Sequence, residues 1–245
     1  NLGDYRLDAT TAIQIKTWSL SADLISQLVE PNLLEQNLYS SAIGWVNNFN
    51  KISINSLKGN LTYKLNAQQV SVEAKVENTN GLIYYTSNGP EQFNENITLV
   101  QYKIKYGFQN KYMGSSTMFL AQNSSSGTKL PLPSLAGSAD IFGKFRLFKK
   151  NLKVQIGARS FWFSDFTSPV YTPYTRAWHL SPDGSSFSYT PPINLYINGL
   201  VKSFCFGVEF FHSQQGLMGN DYFSSPGYPL MPRSVRLNMR WDLNN

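Results

Sequence analysis

Residues 234–243 read Ser234-Val235-Arg236-Leu237-Asn238-Met239-Arg240-Trp241-Asp242-Leu243. Val235, Leu237, Met239, Trp241 and Leu243 alternate with Ser234, Arg236, Asn238, Arg240 and Asp242. Successive side chains of a strand point to opposite faces, so this stretch makes one apolar face and one polar, largely charged face. A helix would spread both sets around its circumference. The stretch is read as a strand between an apolar and an aqueous environment.

The same period of two recurs upstream. Tyr5, Leu7, Ala9, Thr11, Ile13 and Ile15 oppose Arg6, Asp8, Thr10, Gln14 and Lys16. Trp18, Leu20, Ala22 and Leu24 oppose Ser19, Ser21 and Asp23, and Leu57, Leu61, Tyr63 and Leu65 oppose Lys58, Asn60, Thr62 and Lys64. Comparable strands are expected near 70–77, 100–106, 140–147, 152–159, 193–202 and 204–213. Segment 112–123 is strand-like, but its two faces are not distinguishable.

The connections alternate in length. Short turns fall at Gln109-Asn110-Lys111, Lys149-Lys150-Asn151 and Lys202-Ser203, and long polar loops rich in Pro, Gly and Ser at about 79–95, 124–135, 164–192 and 214–232. Long loops at one end and tight turns at the other match barrels with short periplasmic turns and longer extracellular loops. One conflict arises, because both Asn48–Lys51 and Asn66–Gln69 read as short turns with one strand between them. Treating 38–65 as a single long strand, bent and protruding from the membrane, restores the alternation. It leaves about eleven to twelve strands, eleven by this parity, with the first running inward from the exterior. Bacterial single-chain barrels have even strand numbers, so residues 1–245 are read as one barrel region that lacks strands on its N-terminal side.

Composition points the same way. The 245 residues are 42% hydrophobic and 14% aromatic but only 15% charged, against about 25% in an ordinary soluble domain. Mean hydropathy is −0.28, and no run approaches the roughly 18 apolar residues of a spanning helix. A chain that crosses a bilayer without such a helix must do so as a closed sheet, which satisfies every backbone group. The single cysteine, Cys205, excludes an internal disulfide and a cysteine-cluster metal site. The net charge of +6 comes from scattered basic residues, which argues against nucleic acid as a partner.

Several stretches resemble the putative porins of Bacteroidetes outer membranes. They are Leu34-Glu35-Gln36-Asn37-Leu38-Tyr39-Ser40-Ser41 continuing to Trp45-Val46-Asn47-Asn48-Phe49-Asn50-Lys51; Leu130-Pro131-Leu132-Pro133; and Phe145-Arg146-Leu147-Phe148-Lys149-Lys150. Gly216-Leu217-Met218-Gly219-Asn220-Asp221-Tyr222-Phe223, and Tyr228-Pro229-Leu230-Met231-Pro232-Arg233 leading into Trp241, complete the set. The resemblance covers nearly the whole chain and implies the C-terminal part of a longer barrel. Leu243 departs from the family, which commonly ends in an aromatic residue there. The resemblance implies a place and an architecture rather than a ligand.

If the apolar face meets lipid, the polar face lines a lumen. Its basic candidates are Lys103, Lys105, Lys144, Arg146, Lys153, Arg159, Arg236 and Arg240, with Lys202 at a turn, against Asp140, Glu209 and Asp242. Such a lining favours anionic solutes; the plainer reading is that these groups solvate the interior or pair with acids on other strands. Trp18, Trp45, Tyr63, Tyr106, Trp162 and Trp241 are candidates for interfacial aromatic girdles, or for core residues if the fold were a soluble sandwich.

For chemistry there is little. The two histidines are His179 and His212, and Glu209 projects to the strand face opposite His212. No nucleophile elbow, phosphate loop or metal-ligand spacing is present. The expectation is an all-β, antiparallel up-and-down transmembrane barrel of the bacterial outer membrane, not an enzyme and without cofactor or metal. It would pass small hydrophilic solutes by diffusion with a mild anion preference, among outer-membrane lipid and lipopolysaccharide. The alternative is a plugged or accessory subunit of a secretion or nutrient-uptake complex, docking through its long loops. A secreted β-sandwich adhesin is a third reading, distinguished by solubility without detergent.

Overall fold

The alternating stretches pair with one another in chain order and form a single antiparallel sheet. Its eleven strands are β1 (Tyr5–Ile15), β2 (Trp18–Val29), β3 (Ile52–Leu65), β4 (Gln68–Asn80), β5 (Ile97–Gln109), β6 (Met113–Ser124), β7 (Leu135–Leu147), β8 (Leu152–Phe163), β9 (Ile193–Val201), β10 (Phe204–Phe211) and β11 (Ser234–Trp241). Each pairs with its neighbours in sequence and none crosses over, as in an up-and-down meander. This computed structural model describes residues 3–41, 43–173, 175–217 and 222–242. Leu243, which the alternation assigns to the last strand, lies outside the described residues.

Five tight turns close the hairpins at one end, at residues 16–17, 66–67, 110–112, 148–151 and 202–203. In the two-residue turns the first residue takes left-handed backbone, with φ of 52° at Lys16, 51° at Asn66 and 52° at Lys202, which matches the twist of the flanking strands. In the three-residue turn the Asn110 side chain accepts from the backbone N–H of Tyr112 and Met113, each at 2.8 Å. This side-chain mimic of a backbone turn reverses the chain without glycine.

The connections at the other end are 30–51, 81–96, 125–134, 164–192 and 212–233. The first corrects the sequence reading, since 38–65 is not one strand. Asn32 caps a one-turn helix, α1 (Leu33–Gln36), in a reciprocal box: its Oδ1 accepts from Leu34 N (3.1 Å) and Glu35 Oε2 accepts from Asn32 N (2.9 Å). A hairpin of Asn37–Tyr39 with Gly44–Val46 follows, and β3 begins only at Ile52. Residues 48–51 carry no turn and lead straight into β3. Short and long connections then alternate strictly through the described sheet, so the parity conflict disappears.

The pairing register staggers steadily. The row that joins Ile15 to Trp18 at the turn end of β1 passes through Tyr63, Tyr106 and Ala139 and reaches Ile193, the loop-end residue of β9. With strands about 4.8 Å apart and a rise of about 3.3 Å per residue, this stagger tilts the strands by about 35°.

Among the described residues, no other element covers one face of the sheet. Leu57, Ile141 and Leu237 on it are 57%, 58% and 69% exposed, so this apolar surface has no protein core beneath it. The small core lies instead at the loop end of the opposite face. There Ile97 is fully buried in a row with Thr79 and Ile54, and Phe163 stacks on Tyr189 at 4.3 Å with Phe187 buried beside it. This explains the undecided faces of 112–123. Ser115, Thr117 and Phe119 share the apolar face, whereas Met118 and Leu120 share the polar one, and Leu120 lies in the row of Ala136 and Phe163 where loops cover the wall.

Candidate functional site

The pairing register assigns every side chain of the sheet to a face, because directly paired residues share one. On the apolar face Trp18, Tyr63 and Tyr106 lie in one row, with the rings of Trp18 and Tyr63 4.6 Å apart. Trp241 pairs with Phe204 at the turn end of the last hairpin, their rings 6.5 Å apart. Trp162 stands near the loop end of β8, 6.0 Å from Phe119, and lies over Gly137, where a Cβ would come within 2.5 Å of the indole nitrogen. Trp45 is placed differently. It belongs to the hairpin in connection 30–51, donates its indole N–H to Leu34 O (3.0 Å) and packs against Gly89 and Tyr85. The cause is the α1 cap, which takes 38–46 out of the main sheet.

The polar face divides into two parts. Across β1–β5 most of its charges are paired: Arg6 with Asp8 (2.8 Å), Lys58 with Asp23 (2.9 Å), Lys75 with Glu77 (2.8 Å) and Lys103 with Glu73 (2.6 Å). Asn60, Thr62 and Ser71 form a hydrogen-bonded patch among them. Lys103 is therefore compensated locally. Lys105, one row nearer the turn end, faces Ser71 and Met118.

Across β7–β11 the balance is different. Tyr196 is buried flat on the wall over Gly157, donates to Asp140 (2.7 Å) and accepts from Gln155 (3.1 Å). Arg159 lies over the Tyr196 ring at 4.4 Å and reaches Glu209 at 3.8 Å. Asp140 and Glu209 are thus both engaged. Closer to the turn end, Lys144 pairs in register with Gln155, and Arg146 with Lys153. These three cations make no ion pair among the described residues, and Arg240, two strands beyond β9, pairs with Asp242 at 3.2 Å. Arg236 stacks on Phe211 at 3.9 Å near the loop end. All eight basic candidates thus share the polar face. The charges of β1–β4, among them Lys58, Glu73 and Lys75, also belong to it and were legible from the same alternation.

Comparison with known proteins identifies the group. The family described as "Putative porin" matches the chain over residues 1–245. The chain belongs to this porin family. No curated protein matches it. Among solved structures it is similar to the FrpB iron transporter from Neisseria meningitidis (F3-3 variant), at a TM-score of 0.64 and 11% identity, covering 96% of this chain and 38% of that one. At that identity the likeness shows the fold alone, an all-β antiparallel barrel sheet. The chain spans less than two fifths of that neighbour's length.

In a porin-like barrel the polar face turns to the lumen, and the turn end is the periplasmic end. The five long connections then meet over the exterior side, and they are laced together. The hairpin Leu82–Thr86/Gly89–Phe93 pairs through Tyr85 with His179 of the hairpin Val170–Thr172/Ala177–His179, making one four-stranded sheet from loops rooted four strands apart. Leu180 N donates to Tyr85 O at 2.8 Å. Gln92 ties the same loop to Asn50, and Lys129 donates to Tyr84 Oη (2.7 Å) across its ring. Tyr228 of the last connection touches Tyr171 and Trp178. His212 begins that connection in left-handed backbone, fully buried edge-on to the Tyr222 ring at 4.2 Å.

Proposed function

We propose that this porin-family chain forms part of the wall of a bacterial outer-membrane barrel through which small hydrophilic solutes diffuse passively, with a preference for anions. Strands beyond these eleven would complete the wall, and outer-membrane lipid and lipopolysaccharide would surround it. The observation that carries the reading is the uneven polar face. Most of its charges cancel in pairs across β1–β5, where Lys64 and Lys105 are the exceptions among the described residues, while Lys144, Arg146 and Lys153 cluster without acidic partners across β7 and β8. Unpaired cations on a water-filled wall raise the local anion concentration. The proposed activity needs no catalytic group and no cofactor.

Planar-bilayer recording of the full-length protein under a salt gradient tests this directly. A reversal potential displaced toward that of chloride supports it, and one displaced toward that of the cation overturns the anion preference. The laced exterior loops favour a second reading, a barrel capped from outside that serves as a subunit of an uptake or secretion complex. A folded barrel that never conducts would select that reading.

A further inference from the structure

We propose that the lumen wall near the periplasmic end carries a binding site for an anionic polyol, a sugar or sugar acid bearing a phosphate or carboxylate. The inference rests on the reading of the polar face as a water-filled lumen, and names the solute class that one part of it takes. Two adjoining rows on β7–β11 compose the site. The first runs Lys144, Gln155, Asn198, Gly207 and Asn238, and the second Arg146, Lys153, Leu200, Cys205 and Arg240. All of them except Gly207, which the two asparagines cover, line one cleft.

Three features distinguish this cleft from a merely basic surface. First, three of the four cations in these rows have no acid partner among the described residues: Arg240 is paired with Asp242, but the acids next up the wall, Asp140 and Glu209, are held by Tyr196 and Arg159 and leave Lys144, Arg146 and Lys153 uncompensated. Second, a row of carboxamides runs beside the cations. Asn198 and Asn238 bend toward each other over Gly207, where a Cβ would collide with both side-chain oxygens. Neither carboxamide has a side-chain hydrogen bond among the described residues, although amide groups on this face elsewhere, such as Gln101 with Gln122, find partners. Third, Gly207 carries no side chain, which lets the Asn198 and Asn238 carboxamides lie low on the wall and stand side by side toward a ligand. Carboxamides offer both donors and acceptors and suit hydroxyl groups, which do both as well. Guanidinium and ammonium groups suit a phosphate or carboxylate. A small inorganic anion uses only the cations; a neutral sugar uses only the carboxamides. An anionic polyol uses both.

The test is calorimetric titration of the full-length protein in detergent with three probes: glucose 6-phosphate, inorganic phosphate and glucose. The expected result is that glucose 6-phosphate binds at least about tenfold more tightly than phosphate, while glucose binds too weakly to measure. Asn198→Ala is expected to bring glucose 6-phosphate down to the affinity of phosphate, and Lys153→Gln to weaken both phosphates. Heat-modifiable gel migration checks folding of each variant; if Asn198→Ala does not fold, Asn238→Ala serves the same purpose, and the wild-type ranking of probes needs no variant. Equal affinity for the two phosphates, or no binding of either, overturns the site. A barrel that conducts without this ranking leaves the pore reading standing and removes the site; one that shows the ranking but never conducts does the reverse.

Discussion

Lys103 on β5 reaches across to Glu73 on β4, its Nζ donating to Oε1 at 2.6 Å. The two are register partners, so the ion pair spans neighbouring strands on the polar face. This makes Lys103 electrically unlike Lys153, although the alternation ranks them equally. Glu73→Gln is expected to leave Lys103 uncompensated and increase anion preference, while Lys103→Gln exposes Glu73 and reduces it. Both side chains remain partly exposed, so either change should cost no more than about 1 kcal/mol of stability. Reversal potentials of the two variants that move in the same direction would contradict the pairing.

At the exterior rim, Lys51 Nζ donates to Asp4 Oδ1 at 2.8 Å and stands 3.5 Å from Glu30. Hydrogen bonding to Lys51 holds the Asp4 carboxyl below its usual value of 3.8, and the same bond raises Lys51 above 10.5. A depressed carboxyl stabilises the fold above its unfolded pKa and loses that contribution as pH falls through its folded value. The raised lysine contributes below its unfolded value and is lost only at strongly alkaline pH. Hydrogen exchange across 44–51 is therefore expected to accelerate as pH falls below 3.8, after correction for intrinsic rates, and Asp4→Asn should show no such step. Unchanged protection in the wild type through that range would count against a structural role for the pair.

Gly137 and Trp162 meet across β7 and β8, and a Cβ at Gly137 would lie 2.5 Å from the indole nitrogen. Gly137→Ala must push Trp162 off its seat and should destabilise the barrel by about 1–3 kcal/mol, as overpacking does. At Gly59 and Gly107 an added methyl would meet nothing within 4 Å, so alanine there should be neutral or slightly stabilising. Urea unfolding in detergent, followed by tryptophan fluorescence, separates the three. Equal midpoints would mean that the indole does not rest on the glycine.

The strands and their faces were legible because a two-faced wall forces the period of two on every spanning segment. Val235 to Trp241 shows it without interruption. Legibility failed where the environment changed. Around Leu120 and Phe163 the polar face turns apolar because loops cover it, and the period gives no warning of that. It failed again at 38–46, where the Asn32–Glu35 capping box is present in the sequence but is outweighed by strand character on either side. The alternation places the cation candidates together on the polar face, yet the partner of Lys103 depends on register between β4 and β5, a long-range property that alternation within one strand does not contain.

The exterior lacing offers a direct handle on whether the barrel is open. Leu180 N donates to Tyr85 O at 2.8 Å, beside the single parallel pairing of His179 with Tyr85 that joins the two loop hairpins. Leu180→Pro removes that donor while leaving the spanning strands untouched, because a proline has no backbone N–H. If the laced loops restrict passage, the variant should conduct more than the wild type, with the same ion preference, since the cations of β7 and β8 lie at the opposite end of the wall. Limited proteolysis should meanwhile cut 164–192 and 81–96 more readily from outside. Increased cleavage without any change in conductance would show that the lacing holds the loops together but does not gate the lumen.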